Sequence, residues 1–257
     1  MSYKLISACL IALILPVSTS SFASEQPLVA VASGMQFAIK EMVKQFYRDS
    51  GIEVRLTLGS SGNLYRQIVN NAPFELFISA AKSFTEKLES TPFAIDKSVV
   101  IAKGRLAIFT SKDSSLKPDA QLEGLKHALE KGQVNKFAIA NPVHAPYGQR
   151  AKQALISSGV WPDIKDKLVI GESVAQAAQF ALSGGAEGGI IAQSLAISEP
   201  IAKQGQSVLL PESWHEPIWH SMILLKKSDQ ATQDFFDYIQ SDKGQLILAN
   251  YGFGAPE

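Results

Sequence analysis

The chain predicts an α/β fold, and three observations carry that expectation. Short apolar runs alternate with helix-period segments along most of its 257 residues. Glycines stand where several of the helical segments stop. No repeat of fixed period and no low-complexity linker breaks the alternation, so any domain boundary falls within it. Such a pattern argues for mostly parallel sheets flanked by helices.

The first two dozen residues stand apart from this pattern. Lys4, an apolar run from Leu5 to Leu15, Pro16 and a small-residue stretch ending Ser21-Phe22-Ala23 follow the order of a secretory signal peptide, residues 1–23. The run is shorter than the ~20 residues a bilayer-spanning helix needs. Cleavage after Ala23 removes Cys9, the one cysteine. The exported chain then has no disulfide framework and no thiolate metal site or thiol nucleophile. The sequence carries 24 basic and 24 acidic residues, and Lys4 leaves with the leader. Without a basic field, nucleic acid and membrane surfaces are poor partners. The expected product is an exported, soluble, globular protein.

The elements then follow in order. Residues 28–33, LVAVAS, read as a buried strand. Met35, Ala38, Met42 and Phe46 share a helix face up to the stop at Gly51. Residues 52–58 alternate as a strand, and Leu64 and Ile68 share the next helix face. A strand at 74–80 precedes a short helix, AKSFTEKLES, and residues 99–112 hold one or two strands. Helices are expected in LEGLKHALEKG, GQRAKQALISSG and SVAQAAQFALSGG, with strands at 136–141, in KLVIGE and in GGIIAQ. SMILLKKS reads as a strand re-entering the first block, and two helical stretches close the chain.

Two strand-to-helix turns share one chemistry. Ala32-Ser33-Gly34 and Gly59-Ser60-Ser61-Gly62 both place serine where a strand becomes a helix. There a hydroxyl can cap the helix, while free backbone N–H groups stand at the positive end of its dipole. In open parallel sheets such turns collect where ligands bind. Tyr147-Gly148 and Ser173-Val174 begin two later helices in the same way. Any one of these turns is ordinary capping chemistry. Four together would make an anion site without a formal positive charge.

These residues resemble the periplasmic molybdate-binding proteins, solute receptors of ATP-driven importers. VASG (31–34), SSGNLYRQIVNNAPFELFISA (60–80), NPVHAPYGQRAKQAL (141–155), GESVAQAAQFALSGGAEGGII (171–191) and the terminal YGFG carry the resemblance, which covers nearly all of the exported chain. It implies a two-lobed, type II periplasmic binding protein fold with the ligand cleft between lobes. Residues 24–104 with 220–257 would form the first lobe and 105–219 the second. It implies no enzymatic activity and no cofactor. Molybdate, with tungstate beside it, is the implied ligand, and a membrane permease with a separate ATPase the implied partner. By position, Ser33 and Ser61 look like hydroxyl-plus-amide donors, and Tyr147 and Val174 like amide donors from the opposite lobe. One departure stands out: where some members place a tyrosine donor, this chain has Ala192.

Three other readings bear on the same residues. A secreted serine hydrolase needs a base near its nucleophile, and His144 is the only histidine near a proposed site turn. Glu212, His215, Glu216 and His220 suggest a cation receptor, but Pro217 interrupts them and the spacing fits no helical ligand pair. Another anion receptor, for sulfate, phosphate or an organic acid, remains within the binding class. An organic acid would want an arginine, and the nearest, Arg66, lies beyond the first helical turn and suits a surface ion pair.

Overall fold

The computed structural model describes residues 26–256, so the leader read over residues 1–23 lies outside the described residues. The strands are β1 (Leu28–Ala32), β2 (Arg55–Gly59), β3 (Leu76–Ser79), β4 (Val99–Gly104), β5 (Leu106–Ser111), β6 (Phe137–Ala140), β7 (Leu168–Gly171), β8 (Gly188–Ala192), β9 (Gly205–Leu209) and β10 (Ile218–Leu224). The helices are α1 (Gln36–Ser50), α2 (Ser61–Val69), α3 (Lys82–Glu89), α4 (Glu123–Glu130), α5 (Pro146–Ser157), α6 (Trp161–Ile164), α7 (Val174–Leu182), α8 (Gln193–Ala196), α9 (Glu199–Ala202), α10 (Gln230–Gln240) and α11 (Asp242–Asn250).

The strands form two five-stranded sheets, ordered β2-β1-β3-β10-β4 and β7-β6-β8-β5-β9. The two orders are the same pattern used twice. In each, three neighbouring strands run parallel, and the fourth, β10 or β5, is antiparallel to both of its neighbours. The reversed strand is the one that arrives from the other sheet. β5 follows β4 across Arg105, and β10 returns after β9. The sheets are thus parallel apart from the two strands that cross between them.

Burial explains why the strand runs are continuously apolar. Along β1, Val29 and Val31 face one cluster with Met35, Ile39, Met42, Phe235 and Leu248, while Ala30 faces another with Leu64, Ile68, Phe77 and Leu88. A strand covered on both faces has no polar side to alternate. The closing helices α10 and α11 lie on this first sheet, with Phe235 fully buried among α1 residues. Truncating such a phenylalanine to alanine costs about 3–5 kcal/mol. α1 ends as its sequence implies, at Gly51, whose φ of 75° closes the helix with its N–H on Tyr47 O at 2.8 Å.

Strand β9 and helices α6, α8 and α9 are not anticipated by the sequence pattern. Each of these helices has four residues, too few to show a helical period, and β9 is a partly exposed edge strand with a polar GQS start. Register is what matters for function. Ala32 pairs Gly59, so β1 and β2 end level and set Ser33 beside Ser60 and Ser61. In the second sheet Ala140 pairs Gly171, which sets the turn leading into α5 beside the turn leading into α7.

Candidate functional site

The two pairs of turns face each other across a cleft with about 180 Å³ of empty space. Ser33, Gly34, Gly59, Ser60, Ser61 and Ala80 line it from the first sheet, and Ala145, Pro146, Tyr147 and Val174 from the second. None of the lining residues is charged. The structure therefore brings Ser33, Ser61, Tyr147 and Val174 together, each at most 3 % exposed.

Backbone hydrogen bonding shows which donors remain for a guest. In α2 the first N–H with an intrahelical acceptor is that of Leu64, on Ser60 O. In α5 it is Gln149, on Ala145 O, and in α7 Ala177, on Ser173 O. The N–H groups of Ser61, Tyr147 and Val174 thus have no acceptor in their own helices. Their immediate neighbours are engaged: Gly62 N–H donates to His144 O at 2.9 Å, and Ala175 N–H to Ser33 Oγ at 3.3 Å. Ser173 caps α7 by accepting from Gln176 N–H at 3.4 Å.

Ser33 and Ser61 do not cap their helices. Neither α1 nor α2 has a side-chain cap bond. Ser61 Oγ instead accepts from Ala80 N–H at 2.9 Å, after β3 in its own sheet, and Ser33 Oγ accepts from α7 across the cleft. An oxygen that accepts from a backbone amide keeps its own proton to donate. Both hydroxyls therefore retain a proton to donate.

The sheets are clamped together around this cleft. Ser60 Oγ lies 2.8 Å from His144 Nδ1, and His144 Nε2 lies 3.2 Å from Glu172 Oε2. Asn63 Nδ2 donates to the same Glu172 oxygen at 3.4 Å, and Ser194 Oγ donates to Gly34 O at 2.6 Å. Two glycines make the close approach possible. A Cβ on Gly62 would stand 2.6 Å from His144 O, and one on Gly34 2.7 Å from the Tyr147 ring.

The Tyr147 hydroxyl turns away to meet His220 Nε2 on β10 at 3.1 Å. Burial pushes the phenol well above its usual range, opposed by a hydrogen bond with Ser194, and burial pushes His220 down to about 3. His220 is thus uncharged at neutral pH, and its Nδ1 is buried without a partner. Ala192 is fully buried at the end of β8 and does not line the cleft.

The remaining candidates disperse. No group of three or more His, Cys, Asp or Glu side chains able to hold a metal ion occurs among the described residues. Glu212 pairs with Lys103 and Arg105, Glu216 with Arg150, and His215 Nδ1 contacts Glu216 O. Arg66 bonds Asn63 in place of the surface ion pair its position suggests. Sequence reasoning passed over Ser60, Glu172 and the His220 contact. The one signal was His144, three residues before Tyr147 in the same turn.

A family model described as bacterial extracellular solute-binding protein matches residues 27–254. The chain belongs to this family. Among its relatives in the family, a molybdate-binding protein ModA from Azotobacter vinelandii is 34% identical over 88% of each chain. A molybdate-binding protein ModA from Rhodobacter capsulatus is 32% identical over 90% of this chain and 89% of its own. A solved structure, the periplasmic molybdate-binding protein of Azotobacter vinelandii, superposes with a TM-score of 0.82 at 28% identity, over 90% of this chain and 100% of its own. The sulfate-binding protein SubI of Mycobacterium tuberculosis, at 15% identity and a TM-score of 0.69 over 90% of this chain and 86% of its own, shares the fold. The fold by itself therefore leaves the choice of solute to the lining of the cleft.

Proposed function

We propose that this chain is an exported receptor that captures molybdate, and tungstate with it, and delivers it to an ATP-driven membrane importer. One observation carries the reading: an uncharged cleft in which the hydroxyls of Ser33 and Ser61 and the N–H groups of Ser61, Tyr147 and Val174 are all available as donors. A doubly charged oxyanion without a proton is an acceptor on every side and fits a donor-only site. A protonated phosphate would bury its own O–H against donors, an unmatched arrangement that costs about 1–3 kcal/mol. Sulfate satisfies the same chemistry and is separated by size alone.

In this reading residues 24–104 with 220–257 form one lobe and residues 105–219 the other, hinged where β4 passes into β5 and where β10 returns. The sheet memberships support this division. The protein works as a monomer in the periplasm, sent there by residues 1–23, with a permease and a separate ATPase as partners and no cofactor of its own.

One observation favours a second reading. Ser60, His144 and Glu172 have the connectivity of a serine hydrolase triad. It ranks lower because Ser60 faces a small cleft closed between two sheets, with little room for a carbonyl substrate and its leaving group. Hydrolysis of a small activated ester, abolished in His144→Gln, would favour the triad.

The receptor reading is tested by thermal melting with molybdate, tungstate, sulfate, phosphate and divalent metals. Molybdate at about a thousand times its dissociation constant adds about 4 kcal/mol, a rise of about 8–16 °C for a chain of this size. Tungstate should match it, and sulfate and phosphate at equal concentration should do little. A phosphate shift equal to that of molybdate would overturn the donor-only argument.

A further inference from the structure

We propose that Ser60 is a third hydroxyl of the anion cleft, and that His144 decides whether its proton faces the anion. The inference rests on the oxyanion reading above. Ser60 is 4 % exposed and lines the cleft beside Ser61, yet its side chain does not cap α2. It spends its hydrogen bond on His144 Nδ1.

The other side of the imidazole fixes the meaning of that bond. His144 Nε2 faces a Glu172 oxygen at 3.2 Å. An ionised carboxylate only accepts, so Nε2 holds a proton. When His144 is neutral, Nδ1 is then bare and can only accept. Ser60 must give it its single proton, and the cleft sees the lone pairs of Ser60, which repel an anion. When His144 is protonated, Nδ1–H donates to Ser60 Oγ instead. The Ser60 proton is then free to point into the cleft. One proton on His144 thus converts a repelling group into a donor, on the very turn that carries Ser61.

Glu172, on the turn leading into α7, faces the imidazole directly. From α2, the Asn63 amide holds the same carboxylate oxygen, and Arg66, one turn further on, bonds Asn63 without touching the ring. The Tyr147 phenol on α5 is turned away to His220. A bound dianion gains the Ser60 donor only when the ring is protonated. Binding and protonation therefore assist each other, and linkage makes the effect reciprocal. The exchange also supplies a donor to a cleft in which Ala192 offers none.

The test is calorimetry with sodium molybdate between pH 6 and pH 8, in buffers of different ionisation enthalpy. The wild-type protein should bind about tenfold tighter at the acid end, the worth of one added hydrogen bond to a charged acceptor. It should also take up a fraction of a proton on binding. His144→Gln should flatten both the pH profile and the proton uptake, and Ser60→Ala should reduce both. A wild-type affinity that is independent of pH, with no proton taken up, would overturn the proposal. So would uptake that persists in His144→Gln.

A second measurement does not depend on the cargo. Nitrogen NMR of the ligand-free protein should show neutral His144 as the Nε2–H tautomer with Nδ1 bare. The opposite tautomer sinks the proposal whatever the protein binds. Failure of molybdate to bind at any pH would sink the molybdate reading, and the tautomer would then decide the fate of the proton exchange.

Discussion

The two serine turns begin as near copies and end with different tasks. Both follow neighbouring strands of one sheet, both are buried, and both serine oxygens accept from a backbone N–H. Ser61 takes its bond from Ala80, within the first sheet. Ser33 takes its bond from Ala175, at the start of α7 in the second sheet. The Ser61 hydroxyl is therefore aimed before any ligand arrives. On the proposed two-lobed reading, that of Ser33 is aimed only when the sheets close on each other. A receptor needs both kinds of donor: one fixed in place to capture the anion, and one made by closure so that the anion favours the closed form.

Ser61→Ala is the strongest way to break this comparison. It removes a hydrogen bond to a charged acceptor, worth about 1.5–3 kcal/mol, or tenfold to more than a hundredfold in affinity. It also strands the buried Ala80 N–H, which costs about 1–3 kcal/mol in the ligand-free protein. Calorimetry should show the lost affinity, and melting without ligand a drop of several degrees. A near-neutral Ser61→Ala on both counts would remove Ser61 from the site.

Ser33→Ala sharpens the difference. Its effect on affinity should be about tenfold, because a charged-acceptor bond is again lost. Its ligand-free melting temperature should hardly move, since in the open form the Ala175 N–H meets water. If Ser33→Ala lowers the ligand-free melting point as much as Ser61→Ala does, the cleft is closed without ligand, and the division of labour between the two serines is wrong.

Much of this arrangement was legible in the chain, for physical reasons that also mark where legibility stops. Strands buried on both faces read as apolar runs, and helices ending at a left-handed glycine such as Gly51 read as stops. The turns read as turns because serine and glycine at a strand-to-helix junction have few other uses. What Ser33 and Ser61 bond to was not legible. Capping is a local rule, whereas Ala175 lies 142 residues from Ser33 and was brought there by the register of another sheet. The Ser60–His144 contact, 84 residues apart in the chain, was hidden in the same way. The short elements α6, α8, α9 and β9 were hidden for the opposite reason, since too few residues leave no period to read.

Tyr147 offers the smallest expected effect on binding and the finest test of how the cleft divides its work. Its N–H belongs to the cleft, while its hydroxyl belongs to the crossing strand β10 through His220. Tyr147→Phe keeps the N–H and the ring against Gly34, so molybdate affinity should change by less than about threefold, under 1 kcal/mol. Stability should respond instead. His220 Nδ1 already lacks a partner, and losing the phenol would leave both ring nitrogens of a fully buried imidazole unsatisfied. That costs about 1–3 kcal/mol, or several degrees of melting temperature at 2–4 °C per kcal/mol. Calorimetry and melting on this one variant separate the two roles. A large loss of affinity with an unchanged melting point would show the phenol reaching the anion and taking the place of the donor absent at Ala192. A lowered melting point with near-normal affinity would assign the hydroxyl to the crossing strand, and leave Tyr147 with Val174 as donors whose side chains the anion does not use.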